Sequence, residues 1–389
     1  MKNKLNTLIK YTTNLLLYWI SFIVPKNKKI WIFGSWGGHR YADNSRYLFE
    51  YIKKNTDIRG IWITKDKIIL KKLQNEGFEV YLAYSMKAIY YSMRAKVLFV
   101  TQAISGDLHY FNIHPSIYKV QLWHGAPLKK ILHDSHFAQT KLKYQSRRKM
   151  INILFPFYEE KYNLLTACSE EDKKSFSSAF LIKEEKIKIL GYPRNDILAN
   201  SHLNNKSKKI LYAPTLRRDN ENKVLDIFSI KEIEHIESSL LKTNSKLYVK
   251  LHPLNIPNKK LIENMKKTKS IILLSNDVDL QEELKYYDIL ITDYSSIYFD
   301  FLLTGRPIIF APFDHAEYII NDRTFYYDYN EVTPGPKIKN WNEALIWINK
   351  FSDCPDLYLN ERIKITNRFH FYQDFHSSKR IVEYVVKAL

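Results

Sequence analysis

The sequence has few cysteines, few glycines and no apolar run long enough to span a membrane. Its two cysteines, Cys168 and Cys354, are too few for a disulfide framework or a cysteine-based zinc site, and this favours a reducing compartment. Glycine accounts for only 10 of 389 residues, whereas its average usage is about 7%. A cluster of glycines is therefore informative in this chain.

One apolar stretch lies near the N-terminus, at 14–24, but a membrane span needs about 20 apolar residues. Lysines lie on both sides of this stretch, and no small-residue cleavage site follows, so a signal peptide is not indicated. Lysines that flank Leu, Tyr, Trp and Phe are typical of a helix in the headgroup layer of an anionic bilayer. We expect residues 1–25 to form such an interfacial amphipathic helix; the alternative is an ordinary first helix packed on the protein body.

The chain is strongly basic. It carries 60 Lys and Arg against 41 Asp and Glu, a formal net charge of +19. This excess indicates a polyanionic partner: nucleic acid, an anionic membrane or a phosphate-rich substrate. A hydrophobic content of 45% permits packed cores and excludes disorder as the dominant state, and the length predicts two domains.

Short β-rich apolar runs alternate with segments of helical periodicity from Lys29 onward. This alternation predicts βαβ units, and hence parallel sheets covered by helices on both faces. The polar stretch 200–209 is the best linker candidate, so the predicted fold class is α/β with two doubly wound domains. The predicted strands are KIWIFGS, RGIWIT, FEVYL, KVLFVTQ, KVQLWHG, LLTAC and KIKIL before the linker, and KILYAP, KLYVKLHP, SIILLS, DILITDYSS and RPIIFAP after it.

Two of these strands end at a histidine. His124 closes an apolar strand and is followed by Gly125, which permits a tight turn. An imidazole at the carboxyl end of a strand is well placed to accept a proton from an attacking hydroxyl. His252 ends a strand of the second half, before Pro253. We predict catalytic roles for both histidines; the alternative is a structural histidine bonded to turn backbone.

The segment DILITDYSS predicts a phosphate site. A buried strand runs into Thr292 and Asp293, and Ser295 and Ser296 then open a helix that ends near Gly305. Hydroxyls and free backbone N–H groups at a helix N-terminus bind phosphate. A plain Ser or Asp helix cap explains any one of these residues, but not all of them together.

Several basic residues and one glycine loop are further candidates for binding phosphate or the acceptor. Guanidinium groups that follow strands suit phosphate recognition, and Arg194, Arg217 and Arg218 are in such positions. The loop with Gly37 and Gly38 is a candidate phosphate or acceptor loop, although it matches no generic nucleotide motif. A basic stretch that begins at Lys129 and Lys130 and continues through Lys141, Lys143, Arg147, Arg148 and Lys149 suits a pyrophosphate or lipid headgroups. The formal DxD at 277–279 is better interpreted as a helix cap than as a metal site.

These motifs, taken in order, resemble the CDP-glycerol glycerophosphotransferase family of teichoic acid primases and polymerases. The resemblance covers most of residues 29–336. It rests on WHGAPLKK (123–130), GYPRND (191–196), YAPTLRRD (212–219), KLHP (250–253), the long block from DLQEELKYY to GRPIIF (279–310) and FYYDYNEVTPGP (325–336).

The resemblance implies a glycosyltransferase-B-like architecture of two Rossmann-like domains that face a central cleft. It implies an acceptor domain at 26–203, a CDP-polyol-binding domain at 204–370 and a C-terminal helix at 371–389. The implied reaction transfers glycerol phosphate or ribitol phosphate from a CDP-polyol to a hydroxyl on an undecaprenyl-pyrophosphate-linked saccharide, releasing CMP, at the cytoplasmic face of the membrane. The short chain suggests a primase.

The implied roles follow the motifs. His124 is the general base and His252 the second catalytic residue. The donor and its phosphates are bound by Thr292, Asp293, Ser295, Ser296, Arg217 and Arg218. Gly37, Gly38, Lys129, Lys130 and Arg194 are assigned to the acceptor and its lipid headgroup. No cofactor and no metal ion is expected. The alternatives are a polyol-phosphate polymerase, a sugar transferase of the same architecture and, more remotely, a nucleic-acid-binding protein, for which no binding module is found.

Overall fold

A computed structural model of the protein describes residues 2–108, 114–135, 155, 160–200, 207–217, 230–252, 259–321 and 324–389. Within these ranges the chain forms twelve strands, each inside one of the twelve predicted apolar runs or overlapping it. They are β1 (Asn27–Phe33), β2 (Arg59–Thr64), β3 (Val80–Leu82), β4 (Ala95–Val100), β5 (Tyr118–Gln121), β6 (Leu164–Ala167), β7 (Ile187–Ile189), β8 (Lys208–Tyr212), β9 (Ser245–Val249), β10 (Ile271–Leu273), β11 (Ile289–Thr292) and β12 (Ile308–Phe310).

Helical segments connect these strands, as the alternating pattern predicts. The α-helices in the described ranges are Lys2–Ile23, Asp43–Asn55, Lys67–Asn75, Met86–Arg94, Ile104–Asp107, Glu170–Phe180, Ile230–Lys242, Lys259–Lys266, Leu280–Glu283, Ile297–Leu302, His315–Asn321, Tyr329–Val332, Trp341–Asp353, Leu359–Phe369 and Ser377–Ala388. None of the helices placed in these parts of the chain has the length and apolarity that a membrane crossing requires.

The strands form two parallel sheets, which confirms the α/β prediction. The seven-stranded sheet has the order β3-β2-β1-β4-β5-β6-β7, and the five-stranded sheet has the order β10-β9-β8-β11-β12. In each sheet the first strand along the chain is third in the order, and the crossover direction reverses beside it, between β1 and β4 and between β8 and β11. Ligands of doubly wound folds bind beyond the carboxyl ends of the strands at such a reversal.

Strand β1 shows why its sequence requires helices on both faces of the sheet. Its apolar residues are consecutive, and successive side chains of a strand point to opposite faces. Trp31 and Phe33 belong to one buried cluster, and Ile30 and Ile32 belong to another. Burial on both faces leaves polar groups room only at the strand ends.

The chain divides into two compact units, and the division is discontinuous in sequence. Unit 1 comprises Met1–His124, Phe137–Asp196 and Asp374–Leu389; unit 2 comprises Gly125–His136 and Ile197–Gln373. These bounds differ from the predicted ones in three places, because 125–136 lies in unit 2, the main part of unit 2 begins at Ile197 rather than at residue 204, and 374–389 lies in unit 1. The first segment pairs with the backbone of unit 2, where Lys130 N donates to Thr324 O at 2.8 Å and Tyr326 N donates to Leu128 O at 2.9 Å.

The C-terminal helix Ser377–Ala388 is part of the core of unit 1. Its Ile381, Val382 and Val385 are buried in the same cluster as Trp31 and Phe33 of β1. The first turn of this helix is held by Asp196, whose carboxylate accepts the backbone N–H groups of Ser377 and Ser378 at 2.9 and 2.8 Å. The carboxylate thus supplies the N-cap that the helix sequence lacks.

The packing of this helix predicts a position-specific loss of stability. Val385 is fully buried, whereas its neighbour Val386 is 53% exposed. Val385→Ala removes two buried carbon atoms and leaves a cavity, so we expect it to lower the free energy of unfolding by about 2 kcal/mol. Val386→Ala is the matched control, and we expect it to change this free energy by less than about 0.5 kcal/mol. Urea unfolding measures both, and equal losses would contradict the assignment of this helix to the core.

Candidate functional site

His124 lies just beyond strand β5, beside the crossover reversal of unit 1. The residues on either side of it, Trp123 and Gly125, have φ angles of 54° and 122°. A positive φ at a tryptophan is unusual, and strain of this kind is concentrated at functional sites. The turn places a half-buried imidazole at the carboxyl edge of the sheet, as the sequence predicts.

The hydrogen bond of His124 determines which ring nitrogen carries the proton. Nδ1 lies 3.0 Å from the backbone carbonyl oxygen of Thr101, at the end of the neighbouring strand β4. A carbonyl oxygen only accepts, so Nδ1 is the protonated nitrogen and Nε2 of the neutral ring carries the lone pair. Burial lowers the pKa of His124 below its ordinary value. The ring is therefore neutral near pH 7, as a general base must be.

Arg194 lies beside His124 and is committed to partners inside unit 1. Its Nη1 donates to Asp43 Oδ1 at 3.1 Å and to the carbonyl oxygen of His124 at 2.8 Å. Its backbone N–H donates to Asn44 Oδ1 at 3.1 Å. The sequence predicts that Arg194 binds the acceptor headgroup; these contacts favour a role in fixing the His124 turn instead.

The glycine loop is next to His124, but its N–H groups are already used. Gly37 and Gly38 have φ angles of 65° and 81°, which favour glycine. Gly37 N donates to Asp107 Oδ1 at 2.8 Å, and Gly38 N donates to Ser35 O at 2.9 Å. These two N–H groups are therefore not available to an acceptor. The predicted contact with the acceptor would instead require the acceptor to approach the backbone of the two glycines closely.

Trp36, within the glycine loop, is a residue that the sequence analysis did not select. Its indole ring lies 6.2 Å from the imidazole of His124, measured between ring centroids. Its Nε1 donates to Asp43 Oδ2 at 3.2 Å, and its φ angle is 48°. Asp43 therefore holds both Trp36 and Arg194 against the histidine turn. The signal in the sequence was a bulky residue between rare glycines.

In unit 2, the predicted phosphate motif lies at the corresponding reversal between β8 and β11. Thr292 is fully buried, and its hydroxyl donates to Ala213 O at 2.7 Å. Asp293 is buried as well, and its Oδ1 accepts the N–H groups of Thr215 and Tyr294 at 2.8 and 2.6 Å. Both side chains therefore build the loop, and neither is available to a phosphate in this arrangement.

Arg217 is bound by two carboxylates. Its Nη2 lies 2.7 Å from Asp293 Oδ2, and its Nε lies 2.6 Å from Asp314 Oδ2. The guanidinium also lies over two aromatic rings, 5.1 Å from the centroid of Tyr294 and 4.9 Å from that of Tyr318. Asp314 was not selected from the sequence, because it follows β12 about a hundred residues after Arg217. The predicted phosphate contact of Arg217 would have to compete with both carboxylates.

The two serines of the motif are more accessible than its other members. Ser295 and Ser296 are half-buried and immediately precede the helix Ile297–Leu302. Ser296 makes no side-chain capping bond, and Ser295 Oγ accepts only a long bond of 3.5 Å from Ile297 N. Their hydroxyls are therefore the best-placed phosphate ligands of the motif.

Of the remaining predicted residues, the structure describes His252, Lys129 and Lys130. His252 is half-buried and follows β9, whereas Arg218 and the basic residues 141–149 lie outside the described residues. Lys129 Nζ donates to the hydroxyl of Tyr318 at 2.8 Å, and the backbone of Lys130 is paired with Thr324.

The DxD is a helix cap, as predicted. Asp279 Oδ1 accepts the backbone N–H of Gln281 at 3.1 Å at the start of the helix Leu280–Glu283. In the described part of the chain, no three His, Cys, Asp or Glu side chains are grouped as metal ligands would be.

Substitution of Arg217 distinguishes a role in stabilising the fold from a role in binding the donor phosphate. Arg217→Leu leaves two carboxylates without their cation, so we expect a loss of about 3–5 kcal/mol in the free energy of unfolding. Lys29→Leu is the control, because Lys29 and its partner Asp57 are both exposed and such pairs contribute little to the free energy of unfolding. Urea unfolding measures the difference. Unchanged stability together with a raised KM for the donor would instead make Arg217 a phosphate ligand.

Comparison with known proteins relates this chain to enzymes that transfer glycerol phosphate. The family model of CDP-Glycerol:Poly(glycerophosphate) glycerophosphotransferase matches residues 16–387. A teichoic acid poly(glycerol phosphate) polymerase of Bacillus spizizenii is 32% identical, with 98% of this chain and 99% of the relative covered. A teichoic acid glycerol-phosphate primase of Bacillus subtilis is 29% identical over 77% of this chain and 76% of its own length.

The fold also has a close counterpart among solved structures. A structure of the wall teichoic acid polymerase TagF superimposes with a TM-score of 0.75 at 22% identity, covering 100% of this chain and 98% of the other. The organisation into two parallel, doubly wound sheets is the one expected of a glycosyltransferase-B-like enzyme. The match over almost the whole length shows that the chain belongs to the CDP-glycerol:poly(glycerophosphate) glycerophosphotransferase family.

Proposed function

We propose that this protein transfers glycerol phosphate, or another polyol phosphate, from a CDP-polyol to a hydroxyl of a lipid-linked saccharide, releasing CMP, in the synthesis of teichoic acid or a related cell-surface polymer. The observation that supports this most directly is the environment of His124, whose neutral ring presents Nε2 as a proton acceptor at the crossover reversal of unit 1. Family membership supplies the class of donor.

The proposed step is a displacement at phosphorus. His124 Nε2 takes the proton of the acceptor hydroxyl as its oxygen attacks the phosphorus attached to the polyol. The bond from that phosphorus to the bridging oxygen breaks, and CMP leaves with the bond's electron pair. Proton removal by a positioned base contributes roughly 10²–10⁴ in rate. The remaining acceleration comes from groups that stabilise phosphate charge.

We assign that stabilisation to unit 2. The accessible hydroxyls of Ser295 and Ser296 and the N–H groups of the turn they occupy suit a donor phosphate. His252 and Arg218 are assigned to the same diphosphate, and Arg217 holds the loop that carries the serines. Unit 1, which carries His124, the glycine loop and Trp36, is assigned to the acceptor.

The number of units added is a separate question from the type of reaction. We favour a primase, which adds the first unit to a saccharide on a pyrophosphate lipid. A polymerase is the second candidate, because a polymerase named as such is matched over 99% of its own length and chain length therefore does not separate the two. Ribitol phosphate is the alternative to glycerol phosphate as the transferred group.

We also propose that the N-terminal helix lies on the membrane surface, so that the protein is peripheral at the cytoplasmic face. Several large apolar side chains of this helix are exposed, although Tyr18 is buried. Leu16, Trp19 and Ile23 are 60%, 58% and 80% exposed, whereas Asn14 and Ser21 are buried. An apolar stripe that faces outward, followed by Lys26, Lys28 and Lys29, suits the headgroup layer of an anionic bilayer.

The function is tested by offering the protein CDP-glycerol, CDP-ribitol and representative nucleotide sugars with a synthetic lipid-linked disaccharide, and by measuring CMP release and product mass. We expect turnover with a CDP-polyol and a mass increase of one polyol phosphate. Turnover only with a nucleotide sugar would make the protein a sugar transferase. Retained binding to duplex DNA without CMP release would revive the nucleic-acid alternative.

The variant His124→Ala tests, in the same assay, whether His124 is the general base. We expect CMP release to fall by at least about 10²-fold while the thermal midpoint stays within a few degrees of wild type, because the ring makes one hydrogen bond to backbone. His114→Ala is a control, since His114 is a histidine of the same unit whose ring bonds Ser116. Full activity of His124→Ala would remove the base assignment.

The membrane assignment is tested by sedimentation with vesicles that contain anionic phospholipid. We expect the triple variant Leu16→Ser, Trp19→Ser, Ile23→Ser to sediment much less than wild type, because these side chains form the outward apolar stripe. Ile346→Ser removes one exposed apolar side chain from another helix and serves as the control. Unchanged sedimentation of the triple variant would move the attachment to the basic stretch 129–149.

A further inference from the structure

A buried carboxylate in unit 1 has no role in the proposed reaction and was not selected from the sequence. Asp107 ends the short helical turn Ile104–Asp107 that follows β4, and its side chain is completely buried. Burial raises the pKa of this carboxyl group. A buried acid is costly to retain unless its oxygens are well used.

Asp107 accepts three backbone N–H groups from two different strand ends. Its Oδ1 accepts from Gly37 N at 2.8 Å, in the loop after β1. Its Oδ2 accepts from Thr101 N and from Gln102 N, each at 2.8 Å, in the loop after β4. These three bonds favour the ionised form, and they join the two strands that flank the crossover reversal.

One of these bonds controls the partner of His124. The N–H of Gln102 and the C=O of Thr101 are the two ends of a single peptide unit, which is planar, so that fixing one end fixes the other. Asp107 holds the N–H end, and the carbonyl end receives Nδ1 of His124 at 3.0 Å. Rotation of this peptide would remove the acceptor that keeps the proton on Nδ1.

We propose that Asp107 is the positioning residue of the catalytic base: it fixes the Thr101–Gln102 peptide so that His124 keeps its proton on Nδ1 and presents Nε2 to the acceptor hydroxyl. The same carboxylate holds Gly37, and with it the loop that carries Trp36. The role of the residue in catalysis rests on the proposed function, whereas its effect on the tautomer of His124 is independent of any substrate.

The charges around the imidazole set the direction of the expected pH effect. Asp43 and Asp107 raise the pKa of His124, whereas burial and Arg194 lower it. Lys65, whose ammonium group bonds the carbonyl of Gly106, lies close enough to be affected by Asp107. Loss of the Asp107 charge therefore lowers the pKa of His124 further. The base would stay neutral to a lower pH, and the acidic limb of kcat/KM would move to lower pH.

The test compares Asp107→Asn with Asp196→Asn in the full-length protein. Asp196 is the matched control, because it is a half-buried carboxylate of unit 1 that also accepts two backbone N–H groups and has a raised pKa. Nitrogen-15 chemical shifts of labelled histidine, assigned with His124→Gln, report the tautomer and the pKa of His124 without substrate. Donor turnover is also measured as a function of pH, and the thermal midpoint of each variant is determined.

For Asp107→Asn we expect a mixed tautomer, a His124 pKa below the wild-type value, and a kcat lower by about 10- to 100-fold. Asp196→Asn should lower the thermal midpoint and leave the tautomer and the pKa unchanged. A wild-type tautomer and pKa in Asp107→Asn, with a stability loss like that of the control, would overturn the proposal. If Asp107→Asn does not fold, Asp107→Ser, which is smaller and admits a water molecule, is held to the same readouts.

If the wild-type protein turns over no CDP-polyol, the proposed function fails, but the tautomer measurement still decides the role of Asp107. If turnover is normal and the tautomer does not respond to Asp107, the positioning proposal alone fails.

Discussion

Burial of both faces of a parallel sheet is the constraint on which the chemistry of this protein depends. Strands such as β1 and β11 are apolar on both sides, so a polar side chain has a stable position only where a strand ends. In a parallel sheet the carboxyl ends meet at one edge. His124 in unit 1 and Ser295 and Ser296 in unit 2 are each delivered by this geometry to the edge where a crossover reverses.

At both edges, buried aspartates organise the backbone and the cations rather than bind a ligand directly. Asp43 pairs with Arg194 in unit 1, and Asp293 pairs with Arg217 in unit 2. Each of these two arginines is thereby paired within its own unit. The excess of 19 positive charges remains after such pairs, and it acts over a distance on an anionic surface or on an approaching polyanion.

The sequence predicts the strands of this fold well because each is an apolar run bounded by polar or turn residues. It also identifies His124, since a histidine directly after such a run and before a rare glycine is a local signal. Asp107 and Asp314 have no comparable signal, and the position of Trp36 between rare glycines is a weaker one. The role of Asp107 depends on the tertiary contact between His124 and the Thr101 carbonyl, Asp314 bonds Arg217, 97 positions away, and the value of Trp36 depends on its distance from His124. Arg217 follows a strand, and its sequence position therefore predicts a phosphate ligand. Its carboxylate partners, Asp293 and Asp314, are recognised only in the structure. The discontinuity of the units escaped prediction because only tertiary pairing assigns 125–136 and 374–389.

The position of the helix Ser377–Ala388 affects when the core of unit 1 can form during synthesis of the chain. Domains generally fold as units while the chain emerges from the ribosome, the N-terminal one first. Here the core that contains Trp31 of β1 also contains Ile381 and Val385 of the helix Ser377–Ala388, so this core is complete only after that helix has been made. Unit 2 lies entirely between them in the sequence, so it is the unit free to fold first. The part of the protein that holds the proposed base therefore becomes complete only when almost the whole chain has been made, and a prematurely ended chain would expose the core around β1 rather than yield a working acceptor unit.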